Sequence, residues 1–134
     1  MRLLSTTFLL VALVLSAGCK SEAEQRMSEL TAKQKEMIAV LKGVTDVESA
    51  KAANTKIKAI AKDVQDLIER SKGLKTTEAE RTRLSEKYKP EQQQISKDAQ
   101  AEMQRIAKIP GAGMELMEGL MELSSAGMRA GATK

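Results

Sequence analysis

The chain has 134 residues, 42% hydrophobic and 30% charged, with 22 basic against 18 acidic side chains and no histidine. That length accommodates one small domain, and the lack of His removes Ser-His and Cys-His nucleophiles, an imidazole general base and every His-containing metal site. One Cys excludes an intramolecular disulfide and a four-cysteine zinc site, and one Phe, one Tyr and no Trp leave no stacking platform for bases or sugars. No catalytic residue, cofactor or nucleic-acid partner is expected.

Met1-Arg2 gives a positive start, and residues 3–15 form an apolar run, interrupted by Ser5, Thr6 and Thr7, that is too short for a comfortable membrane span. The run ends in Leu15-Ser16-Ala17-Gly18-Cys19. Small residues meeting a cysteine in this way resemble the lipobox of bacterial lipoprotein precursors, with Ser16 where that family usually has Leu. The resemblance implies cleavage between Gly18 and Cys19, diacylglycerol on the Cys19 thiol, and a third acyl chain on its amine in many diderm bacteria. Two or three acyl chains anchor stably, since each buried methylene contributes about 0.8 kcal/mol. By likeness to enterobacterial sorting rules, Lys20 rather than Asp after the cysteine favours the outer membrane. The alternatives are ordinary signal cleavage, leaving Cys19 a free thiol, or an uncleaved anchor.

Past the signal peptide of residues 1–18, Ser21-Glu22-Ala23-Glu24 reads as a capping box opening a helix, the Glu24 carboxylate reaching back to the Ser21 amide. Ala23, Met27, Leu30, Gln34, Met37, Leu41 and Val44 alternate four and three apart, a heptad seam with one polar member. Gly43 is placed as a left-handed terminator. Thr45 to Glu48 repeats the capping logic, and Ala50, Ala53, Ile57, Ile60, Val64, Leu67, Ser71 and Leu74 make a second seam, widened by Ala61 and Ile68 and closed at Gly73. So short a connection makes the two helices an antiparallel hairpin, and the second helix is expected to pack along both of its sequence neighbours.

Thr77-Glu78-Ala79-Glu80 opens a third helix with a looser face of Leu84, Tyr88, Ile95, Ala99, Met103, Ile106 and Ile109, and Pro90 predicts a kink or break near Lys89. Ile109 to Gly113 is a stop. A last short helix is expected from Met114 to about Met128, with Met114, Met117, Leu120, Met121 and Met128 on one side and Gly119 and Gly127 lowering its propensity. Residues 130–134 should fray. The fold class is all-α: an antiparallel helical hairpin or three-helix bundle over residues 19–109, then a break and the Met-rich helix within 110–134.

The methionine face is the preferred partner-binding element, because flexible thioethers accommodate varied apolar surfaces; packing on a core, or soft ligation of Cu(I), are the alternatives. Between Lys51 and Lys89 eleven basic residues face six acidic ones, which suits anionic lipid heads or wall polymers, or else a solvated face with pairs such as Lys62-Asp66 and Asp66-Arg70. The terminal Lys134 is similar to that of the Braun-type lipoprotein, which implies a covalent wall tether. Asp46 to Ala53 followed by Ile57 and Ile60 looks like a stretch of small exported helical proteins of planctomycete-type bacteria, which implies export and helical fold alone. The expectation is a non-enzymatic, lipid-anchored envelope protein held at the membrane through Cys19, with a binding or scaffold role toward a protein partner. The alternatives are a structural envelope tether and a self-assembling coiled-coil lipoprotein forming homo-oligomers.

Overall fold

The computed structural model describes residues 20–131, with side chains to position 127. It contains four helices: α1 (Glu22–Lys42), α2 (Val47–Ser71), α3 (Glu78–Ile106) and α4 (Ala112–Gly131). Cys19, Gly18 and Lys134 lie outside the described residues, as does the Met128 side chain. Among the described residues no helix is long and apolar enough to cross a membrane.

Capping chemistry sets where each helix begins. The Glu24 N–H donates to Ser21 Oγ at 3.2 Å and the Glu80 N–H to Thr77 Oγ1 at 3.2 Å, each satisfying one of the orphan donors of a first turn. The Glu24 carboxylate does not return to Ser21 as the capping box predicts; it turns to two cations on α3. At α2 the cap is Asp46 rather than Thr45, and its partner is Ser49: the Ser49 N–H donates to Asp46 Oδ1 at 2.7 Å and the Asp46 N–H to Ser49 Oγ at 3.0 Å. The Ser49 N–H, and then the Ser49 hydroxyl donating to the same Oδ1 at 2.7 Å, hold the Asp46 carboxyl below its ordinary range.

Neither of the glycines read as helix terminators, Gly43 and Gly73, has positive φ. Gly43 ends α1 with φ −75°, its N–H donating to Val40 O at 3.2 Å, and among the described residues only Gly111 has positive φ, at 79°. Val44 folds back onto the end of α1, its N–H donating to Leu41 O at 3.1 Å, and is fully buried. The break expected at Pro90 is also absent: α3 runs through it without interruption. Leu84 and Tyr88 before the proline, and Ile95 and Ile106 after it, are all buried, so tertiary packing on both sides offsets the missing backbone donor.

The α2 seam is buried along its length, from Ala50, Ala53 and Ile57 through Ile60 and Ala61 to Val64 and Leu67. Its neighbours are α1 and α4, and α3 packs on α1, with no close backbone approach between α2 and α3. This corrects the expectation that α2 lies between its sequence neighbours. The helices run up, down, up, down. Ala112 and Leu116 sit with Ala50, Ala53 and Ile57, whereas Ala126 sits with Ile60 and Val64, so α4 lies parallel to α2. Truncating a fully buried member such as Ile57 or Leu116 to Ala would cost about 2–5 kcal/mol.

Gly119 explains how α4 seats so closely. Its N–H donates to Asn54 Oδ1 at 2.8 Å, and a Cβ there would stand 2.5 Å from that oxygen, 3.1 Å from the Asn54 carbonyl and 3.2 Å from Ile57 Cγ2. The residue read from sequence as a weak spot in the helix is the close-approach point of the α2–α4 crossing.

Polar contacts recur along the α1–α3 interface, beside apolar ones such as Leu41 with Ile106. Glu24, only 5% exposed, is bound by Arg83 at 3.0 Å and by Lys87; Gln92 Nε2 donates to Thr31 Oγ1 at 3.2 Å and to Gln34 Oε1 at 2.9 Å. Arg105 caps the end of α1, donating to Val44 O at 2.6 Å and Leu41 O at 2.8 Å. A guanidinium at a helix C-terminus satisfies orphan carbonyls and opposes the negative end of the dipole. These contacts advance together along both helices, so α1 and α3 are parallel.

Candidate functional site

Two surfaces stand out. The first is on α4, which is apolar on two faces. Ala112, Leu116 and Ala126 are buried against α2, with Leu120 and Leu123 half-buried beside them. On the outward side Met114, Met117 and Met121 are 79%, 57% and 64% exposed. Spacings of three and four put them in one row. The expected group thus divides: three methionines form an exposed stripe, and Leu120 belongs to the core side.

The stripe flanks a furrow of about 610 Å³ whose opposite wall is Lys58, Lys62 and Gln65 of α2. Lys58 pairs with Glu118 at 2.7 Å across it. The expected pairs Lys62-Asp66 and Asp66-Arg70 do not form: Arg70 Nε donates to the Asp66 carbonyl at 3.2 Å, and Asp63 of α2 takes Lys33 of α1 at 2.7 Å, which also lies 2.9 Å from Glu36. Asp63 first and Glu36 second raise the Lys33 ammonium above its ordinary value. Among the described residues no group of three His, Cys, Asp or Glu side chains is placed to hold a metal ion.

The second surface was not legible in the sequence. Because α3 packs on α1 and stands off α2, a groove of about 860 Å³ opens between α1, the last turns of α2 and the first half of α3. Met27 and Leu30, Leu67 and Ile68, and Leu84 and Tyr88 supply its apolar walls, one pair from each helix. Arg26, Lys72, Arg81 and Lys89 also line it, and no Asp or Glu does. Arg26 pairs with Glu22 at 3.7 Å and Glu29 at 3.1 Å, yet its Nε is buried with no acceptor, an omission that costs about 1–3 kcal/mol where water does not reach.

Ala23, the first residue of α1 in the groove wall, is four residues from Cys19, a reach of at most about 14 Å of extended chain. Of the signals that could have revealed the groove, the basic surplus between Lys51 and Lys89 is the one the sequence carries; three of the four groove cations belong to it.

Comparison with protein-family models, with curated proteins and with solved structures gives no match to this chain.

Proposed function

We propose that this chain is a non-enzymatic bacterial envelope protein, held at a membrane by lipid on Cys19, that binds a protein partner through the methionine stripe of α4. The observation that carries the binding element is the exposure of Met114, Met117 and Met121 in one row while the opposite face of the same helix is seated on α2. A row of large apolar side chains left in water is the usual mark of an interaction surface, and unbranched thioethers adapt to partners of varied shape. The stripe rests on a helix already fixed by the core, so little ordering entropy opposes association.

A photo-crosslinking residue at Met117 tests this in cells. The reading expects a discrete adduct that is absent when the same residue replaces Thr82, an exposed position on α3, and absent again when Met114 and Met121 are both Gln. Equal labelling from both positions would refute it. An adduct at twice the chain's mass would identify the partner as a second copy and favour the self-assembling reading, which sedimentation of a Cys19→Ser chain would then check as a concentration-dependent mass.

A further inference from the structure

The groove between α1, α2 and α3 stands apart from the methionine stripe, and its chemistry is two-sided. Its wall area is predominantly apolar, supplied by residues such as Met27, Leu30, Ile68 and Leu84, and its volume of about 860 Å³ falls in the range of about 300–1,000 Å³ typical of small-molecule sites. Its charge is of one sign. Four cations and no carboxylate line it, in a chain whose 22 basic and 18 acidic residues are nearly balanced. Among the described residues Arg81 and Lys89 make no ion pair, although Arg83 and Lys87, their neighbours on α3, are both held by Glu24. The Arg26 Nε adds a buried donor without an acceptor.

Arg26 and Lys72 are already paired, Lys72 with Glu69 at 2.7 Å; an apolar trough with the two unpaired cations Arg81 and Lys89 suits one molecule that is apolar along its length and anionic at one end. The walls are helical, with their backbone donors and acceptors used internally, so a peptide strand finds no edge to pair with. A flat anionic bilayer would meet the cations and leave the recessed apolar walls unfilled. We propose that the groove binds a single-chain lipid with an anionic head, a fatty carboxylate, its tail against the α1, α2 and α3 walls and its carboxylate with Arg81 and Lys89. The site requires neither the Cys19 anchor nor the stripe partner.

The test uses the full chain with Cys19→Ser, so that no attached acyl group competes, titrated by calorimetry with laurate below its critical micelle concentration. Dodecyltrimethylammonium, with a similar tail and a cationic head, is the comparison. The proposal expects saturable binding of one laurate per chain, about tenfold or more tighter than the cationic amphiphile. Arg81→Glu with Lys89→Glu should reverse that preference, both residues being exposed and unpaired, so that folding is unaffected. Ser85→Trp, a bulky residue placed at an exposed position of the groove wall, should abolish binding of both amphiphiles with the thermal midpoint preserved. Equal affinity for the two head charges, absence of saturable binding, or indifference to Ser85→Trp would overturn the proposal. So would binding to vesicles of anionic phospholipid without binding to monomeric laurate, an outcome that would assign the cations to a membrane surface.

Discussion

Replacing Gly119 by Ala should destabilise the protein, although the same substitution in a solvent-facing helix interior stabilises by about 1 kcal/mol. The added Cβ would meet Asn54 Oδ1 at 2.5 Å, the Asn54 carbonyl at 3.1 Å and Ile57 Cγ2 at 3.2 Å. Rotation of the Asn54 amide relieves the first contact but gives up its 2.8 Å bond from the Gly119 N–H, worth about 1 kcal/mol. The other two contacts involve backbone and a fully buried isoleucine, and relieving them means lifting α4 from α2, an overpacking cost of about 1–3 kcal/mol. Set against the propensity gain, the net loss is about 1–3 kcal/mol, which for a domain of this size lowers the thermal midpoint by roughly 3–12 °C. Gly127 is the internal control, since nothing stands within 4 Å of its Cβ position; Gly127→Ala should raise the midpoint by a few degrees. Circular dichroism melts of the two variants give opposite signs if the crossing is as close as described. Adding Asn54→Ala to Gly119→Ala should recover part of the loss, because the two residues are coupled. A Gly119→Ala protein more stable than the parent would refute the reasoning.

Three further perturbations probe the rest of the bundle. Lys87 and then Arg83 hold the Glu24 carboxyl below its ordinary value of 4.5, so its contribution is fully present above about pH 5 and is lost as pH falls through the lowered value; the stability difference between the parent and Glu24→Gln should vanish in acid melts. Arg105→Met removes the donors to Val44 O and Leu41 O and should cost about 1–2 kcal/mol in chemical denaturation, with Arg105→Lys a partial rescue. Pro90→Ala restores a backbone donor inside an unbroken α3 and should stabilise by about 1–3 kcal/mol; a loss would mean that α3 depends on the proline.

The all-α class and the α2 seam were legible because one period holds from Ala50 to Leu67 and both flanks of that stripe are covered. The starts of α1, α2 and α3 were legible to within a residue, since Ser21, Asp46 and Thr77 accept from the amide three residues on; α4 begins at Ala112, two residues before the expected Met114, and runs on to Gly131. Neighbour choice was not. Connections of four to six residues allow several packings, and α1 carries a second contact face, Glu24, Thr31 and Ile38, offset from the apolar row that defines its seam. That face is partly polar, so a search for apolar periodicity passes over it. Gly119 shows the same limit: propensity reads a glycine as a weakness, and only the partner helix reveals what the missing side chain makes room for. Of the candidate site, the methionine row was legible by spacing, its exposure was not, and Leu120 falls on the core side. The groove arises between helices distant in sequence, and its one local trace is the basic surplus between Lys51 and Lys89.

The central proposal, a chain held at a membrane through Cys19, is tested most directly by the intact mass of the protein purified from native membranes, beside a Cys19→Ala version. The account predicts residues 19–134 plus two or three acyl chains, with the added mass missing from the variant. An unmodified chain, or one beginning elsewhere with the same mass behaviour in both versions, would contradict it.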